Sequence, residues 1–287
     1  MVVTASLTVE GGGFEVYRPF PAPQLNLLDP FLLLDEMGPT VNEPGRAVGA
    51  PDHPHRGFET ITYILEGEVE HRDSAGNHGV IGPGDIQWMT AGDGVVHSEM
   101  PTERAQSEGG RAHGMQLWVN LPRELKRTAP RYQALTADNL AEVSGDGWSA
   151  RVVAGDVLGG QGPAASHTPV GYAHLTVQPG ATVRIPVPDA HSAALYAFSG
   201  SALAGTSGEE LAEHALAVFE RTSGDMLVEV PAESEHPLES LVLTGQPLNE
   251  PVARYGPFVM NTRAEIEEAI EDFQAGRMGT IAATGTV

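Results

Sequence analysis

Short runs in which apolar and polar residues alternate, or in which β-branched and aromatic residues cluster, recur along the whole chain. In the first half they are FEVYRPF (14–20), FETITYIL (58–65), EVEHRD (68–73), HGVI (78–81), DIQWMT (85–90) and MQLWVNLP (115–122). Turn-forming residues separate them: Glu66-Gly67, Ser74-Ala75-Gly76-Asn77, Gly82-Pro83-Gly84-Asp85 and Gly92-Asp93-Gly94. A side-chain period of two, cut at short intervals by Gly, Pro and Asn, predicts antiparallel strands closed into a sandwich or barrel. Residues 123–149 break the pattern, carry most of the local positive charge and read as a connector with little core. Strands resume with ARVVAGDV (150–157), AHLTVQPG (173–180), ATVRIPVP (181–188), SAALYAFSGSALAG (192–205), ALAVFERT (215–222), DMLVEVPA (225–232) and LESLVLTG (238–245).

The two halves rhyme. TITYILEGEVEHRD around Gly67 parallels SAALYAFSGSALAG around Gly200, and each is followed by a Gly-Asp turn, Gly84-Asp85 or Gly224-Asp225. Self-similarity of this kind favours a duplicated β-domain over two unrelated modules. One segment has a different period. In residues 261–279, Ile266, Ala269, Ile270 and Phe273 recur at helical spacing, Thr262 with Glu265 forms a capping box, and Gly276 can end the helix. Such a stripe should pack on a sheet. The sequence therefore divides into a barrel (1–122), a connector (123–149), a second barrel (150–260) and a C-terminal helix and tail (261–287).

Composition narrows the chemistry. A chain of 287 residues with 41% hydrophobic content can bury two cores, and its 34 Gly and 22 Pro suit many short elements. No stretch approaches the roughly 18 consecutive apolar residues of a membrane span, and the first residues lack the pattern of a signal peptide, so a cytoplasmic protein is expected. Cysteine is absent, which removes disulfides, thiolate nucleophiles and zinc–thiolate sites. Any metal must be held by histidine and carboxylate. The formal net charge of -22, with Lys126 the only lysine, gives a surface that repels phosphate backbones, so direct nucleic-acid binding is disfavoured; the charge itself serves solubility. Two barrels that can cover each other's exposed faces favour a monomer.

The candidate chemistry sits in two short stretches. In an extended segment residues i and i+2 face the same way, so His53 and His55 project together, with Pro54 between them suited to an edge strand. His97 and Glu99 obey the same rule. If both pairs face one barrel interior, three imidazoles and one carboxylate converge, and His53, His55, His97 and Glu99 can ligate one cation. This donor set suits iron, manganese, nickel, copper or zinc rather than calcium or magnesium. Scattered histidines in the second half, among them His167, His174, His191, His214 and His236, lack such spacing.

The stretch DHPHRGFETITYILEGEVEHRDSAGNHGVIGPGDIQWMTAGDGVVHSEMP, together with FLLLDEMGP (31–39), QLWVNLP (116–122) and YGPFVMNT (255–262), resembles the pirin family of the cupin superfamily. The resemblance implies an all-β bicupin, two tandem jelly-roll barrels and a C-terminal helix, with iron in the N-terminal barrel alone on His53, His55, His97 and Glu99. It also implies two alternative roles. One is a metal-dependent dioxygenase that cleaves a flat flavonol such as quercetin and releases carbon monoxide, with Glu99 as ligand and general base. The other is a redox-sensitive iron protein acting on a protein partner, a transcription factor or a metabolic enzyme. The chain departs from the general cupin pattern at Glu59, one place short of the usual motif glutamate; a role behind the ligands or a structural one is open to it. Among other residues, His71, His78 and His113 read as surface or internally satisfied histidines rather than ligands. Gln116 and Trp118 should face the barrel interior near the metal, and one of Trp88 and Met89 should be core. Phe58, Met115 and Trp118 are candidates to line a pocket, and Arg56 could balance Asp52 or Glu99.

Overall fold

A computed structural model describes residues 1–10, 12–221 and 224–282. The expected tail at 283–287 and the end of the strand expected over 215–222 lie outside the described residues. The chain is built almost wholly of antiparallel strands, as the alternation predicts, and it forms two compact units. The first unit holds residues 8–16, 35–137 and 249–287; the second holds residues 1–7, 17–34 and 138–248. The ranges read from the sequence run linearly along the chain, whereas the units exchange their ends. Val2–Thr4 pairs with Ala215–Phe219 and closes the edge of the second unit's sheet, which an unpaired strand would leave open. The C-terminal residues complete the first.

The second unit faces a seven-stranded sheet with a four-stranded one. The larger sheet runs Val2–Thr4, Ala215–Phe219, Ser192–Ser199, Leu238–Gly245, Val170–Val177, Trp148–Ala154 and Ala141–Gly145; the smaller contains Thr182–Ile185, Met226–Glu229, Ala202–Ala204 and Glu209–Leu211. Their inner faces supply one apolar core that includes Val152, Leu175, Val183, Leu195, Val228 and Val242.

In the other unit a four-stranded sheet, ordered Ala50–His55, Val95–Pro101, Val69–Asp73 and His78–Ile81, opposes a larger one. The latter contains Arg131–Leu135, Ile86–Thr90, Phe58–Glu66 and Gly110–Asn120 in that order. Arg131–Leu135 lies within the expected connector, yet it pairs with Ile86–Thr90 and extends this sheet. The repeat seen in sequence has a structural counterpart. Gly67 and Gly200 each turn one strand into the next at positive φ, 84° and 75°, and a Cβ there would lie 2.8 Å from Arg111 O and 2.4 Å from Pro237 O. Trp88 and Met89 are both buried, because their strand is covered on its two faces.

The C-terminal helix spans Arg263–Gln274, and both halves of the Thr262/Glu265 capping box form. Replacing Thr262 with alanine should therefore cost about 1 kcal/mol in urea denaturation. Ile266 and Ala269 are buried with Phe258, Met260, Val96 and Met278. Phe273, expected on the buried stripe, is 40% exposed, and Asp272 is buried instead. The reason is ionic: Arg56, itself buried, donates from Nη1 to Asp272 Oδ2 at 2.7 Å. Lys126 is buried as well. Its Nζ donates to Gly57 O (2.8 Å), Asn120 Oδ1 (2.6 Å) and Val259 O (3.0 Å), so the expected connector supplies a cross-link instead.

Candidate metal centre

The strand Ala50–His55 occupies the edge of its sheet, where Pro54 needs no ladder partner on its nitrogen side. It pairs with Val95–Pro101 so that His97 lies opposite His53 and Val95 opposite His55. The three rings meet at their Nε2 atoms: His53 to His55 is 3.1 Å and His53 to His97 is 2.9 Å. Their ligating nitrogens all lie within 4.8 Å of one another, and among the described residues this is the group able to hold a metal ion.

The outer nitrogens set the tautomers. His53 Nδ1 lies 2.8 Å from Pro51 O and His55 Nδ1 lies 3.4 Å from Pro257 O. A carbonyl oxygen only accepts, so each Nδ1 carries the proton and each Nε2 presents a lone pair inward. Buried lone pairs aimed at one point repel unless a cation sits among them. Nor can a proton readily replace the metal. Burial, followed by the neighbouring His53 ring, pushes His55 well below the ordinary imidazole range; for His97 the causes are burial, then His55 and His53. Neutral imidazoles are the form a metal binds. The spacing is also informative. Nitrogens about 2.1 Å from an ion stand roughly 3.0 Å apart at right angles and roughly 3.4 Å apart in a tetrahedron. The two measured separations, 3.1 and 2.9 Å, are short enough for the nitrogens to share one ion.

Glu99 projects from the same strand as His97, but a β-bulge between them shifts the register so that Glu99 opposes Ala50. Its Oε1 accepts from Thr62 Oγ1 at 2.6 Å and from Gln87 Nε2 at 3.3 Å, and it stands outside the histidine group. Gln116 in turn donates to Thr62 Oγ1 at 3.1 Å. Thr62, Gln87 and this link were not evident in the sequence. The available signal was register: Gln116, Thr62 and Gln87 sit side by side on three adjacent strands. A cavity of about 660 Å³ reaches the carboxylate, lined by Phe14, Met37, Thr62, Ile64, Val69 and Glu99 among others.

Other expectations resolve individually. Trp118 does lie by the site, its ring 5.2 Å from His55 and 4.3 Å from Phe58, with the Arg254 guanidinium 4.9 Å above it. Met115 does not join them. Three residues from Trp118, it points to the opposite face of the strand and is fully buried. Arg56 balances neither Asp52 nor Glu99; it pairs with Asp272 and donates from Nε to Asp93 O at 2.6 Å. Glu59 is fully buried on the other face of its strand, where it accepts from Thr90 Oγ1 at 2.7 Å, a structural role. His78 is exposed against Glu70, and His113 contacts Glu36. His71 is no surface residue. It is buried between Asp73, 3.2 Å away, and the Tyr132 ring, with His97 at 5.4 Å.

Known proteins resemble the whole chain. The pirin family profile matches residues 13–119, and that of the pirin C-terminal cupin domain matches residues 172–279. A pirin-like protein of Solanum lycopersicum is 43% identical over 279 residues, 96% of this chain and 91% of the relative. Pirin of Homo sapiens is 41% identical over 275 residues, covering 94% and 90%. The crystal structure of quercetin 2,3-dioxygenase from Acinetobacter baumannii superposes with a TM-score of 0.91 at 38% identity, over 98% of both chains.

Proposed function

The chain belongs to the pirin family, and from that premise we propose that it is a metal-dependent dioxygenase acting on a flavonol-type substrate, with quercetin the first to test. The observation that carries this reading is the convergence of three imidazole Nε2 atoms on one point, with Glu99, two residues from His97, in the wall of a cavity. Support comes from a relative: the Acinetobacter baumannii protein is named quercetin 2,3-dioxygenase, and it superposes over 98% of both chains.

His53, His55 and His97 would hold the ion, and Glu99, two residues from His97, would complete the set. Iron is the first choice, with nickel, manganese, copper and zinc as alternatives that the same donor set suits. When bound, such an ion supplies Lewis acidity toward the adjacent hydroxyl and carbonyl oxygens of a flavonol and a path for electron density toward dioxygen. The protein's own residues do the rest. Trp118, backed by the buried Phe58 ring, packs edge-on against His55 and holds that imidazole in place. Glu99 faces the cavity and can accept the hydroxyl proton, a step worth about 100-fold or more in rate.

The test is anaerobic loading with iron, nickel, manganese and copper in turn, followed by dioxygen uptake and carbon monoxide release with quercetin. Turnover with at least one metal is expected; folded protein inert with all of them removes the flavonol reading. Glu99→Gln should keep measurable metal and lose at least about 100-fold in kcat. Full activity in that variant would count against Glu99 as base.

A further inference from the structure

Three polar side chains, Gln116, Thr62 and Gln87, form a row across adjacent strands of one sheet, and the row is aimed at a carboxylate on the facing sheet. Thr62 is the centre of it. Its hydroxyl accepts from Gln116 Nε2, which leaves its proton to go to Glu99 Oε1. Gln87 is fully buried, donates to the same oxygen, and has a side-chain oxygen with no hydrogen-bond partner. In this arrangement Glu99 lies against the cavity and outside the histidine group.

We propose that Thr62, assisted by Gln87 and Gln116, is a positioning residue that gives Glu99 a second seat: against the cavity, competing with coordination of the metal. The inference rests on the metal reading above and deepens it. A carboxylate held only by the ion would have its charge engaged at the cation and would be a poor proton acceptor. One held by Thr62 and Gln87 keeps its other oxygen, Oε2, available. From this seat Glu99 takes the substrate proton in a balanced step: the hydroxyl O–H bond breaks, the proton goes to Oε2, and the electron pair stays on the substrate oxygen. Two neutral donors are enough to hold the carboxylate without pinning it as an arginine would.

The competition predicts an unusual sign. Removing a hydroxyl near a metal site ordinarily weakens binding, but here Thr62→Val, nearly isosteric, removes the competitor. By calorimetric titration of the full-length apo protein with Ni(II) alone, Thr62→Val should bind about tenfold more tightly than the parent, and Thr62→Ser should stay within about twofold. With quercetin, Thr62→Val should lose about tenfold in kcat at unchanged KM, and Thr62→Ser should restore it. Should Thr62→Val fail to fold, Gln87→Leu replaces it, since that change orphans no acceptor and should shift affinity in the same direction. Unchanged or weaker Ni(II) affinity in the variant that folds overturns the second seat while leaving the metal site standing. A parent protein that takes up no Ni(II) overturns both.

Discussion

Replacing His55 with alanine is expected to lower the affinity for a divalent transition metal by at least about 100-fold, since changes one shell further out already cost 10–100-fold. His55 is the most constrained of the three imidazoles. It is buried, its Nδ1 faces Pro257 O, its ring meets Trp118 and Phe58 edge-on, and its Nε2 lies 3.1 Å from that of His53. Alanine leaves two nitrogens and no means of recovering the third. The effect should appear both in titration and in stability. A ligand that binds only the folded state at 100 times its Kd adds about 2.7 kcal/mol, so Ni(II) should raise the Tm of the parent and leave that of His55→Ala unmoved. His78→Ala, which removes an exposed imidazole paired with Glu70, is the control and should bind like the parent. Equal metal uptake by His55→Ala would mean that the ion sits elsewhere.

The second large effect is on folding. Lys126→Met should destabilise the protein by about 3–5 kcal/mol, because it leaves Gly57 O, Asn120 Oδ1 and Val259 O buried without their shared donor. Gly57 follows the His55-Arg56 pair directly, and a Cβ at Gly57 would lie 1.9 Å from Val259 O, so the amine clamps two closely apposed backbones. A pH signature distinguishes this clamp from simple packing. Burial pulls the amine from its ordinary 10.5 down to about 7, opposed by the Glu250 and Glu265 carboxylates. Between those values the unfolded chain still binds the proton that the folded protein has released. Stability contributed by this group therefore rises with pH across that window and is flat below it. Urea denaturation of parent and variant across the window should show a slope that the methionine variant lacks; identical slopes would sink the assignment.

What could be read from the sequence followed the range of each interaction. FEVYRPF and HGVI correspond residue for residue to the strands Phe14–Phe20 and His78–Ile81, because alternation is a local property. The capping box was legible for the same reason. So was the histidine triad: strand geometry alone turns His53 and His55 to one side, and antiparallel return brings His97 opposite. Partner identity at long range was not legible. Nothing local to Arg56 announces Asp272, 216 residues away, yet that pair turns Asp272 inward and Phe273 outward. Nothing near Lys126 announces Val259. Nothing near Glu99 announces that its carboxylate meets Thr62 and Gln87 of the facing sheet. The exchange of chain ends between the units belongs to this class too, since Val2–Thr4 completes a sheet whose other strands begin at residue 141.

The most direct measurement is anomalous diffraction at the absorption edge of the loaded metal, on crystals of the full chain soaked in iron or nickel under anaerobic conditions. A single peak bonded to the Nε2 atoms of His53, His55 and His97 is the expected result. A peak bound to other side chains, or three imidazoles turned away from one another around no ion at all, would contradict it.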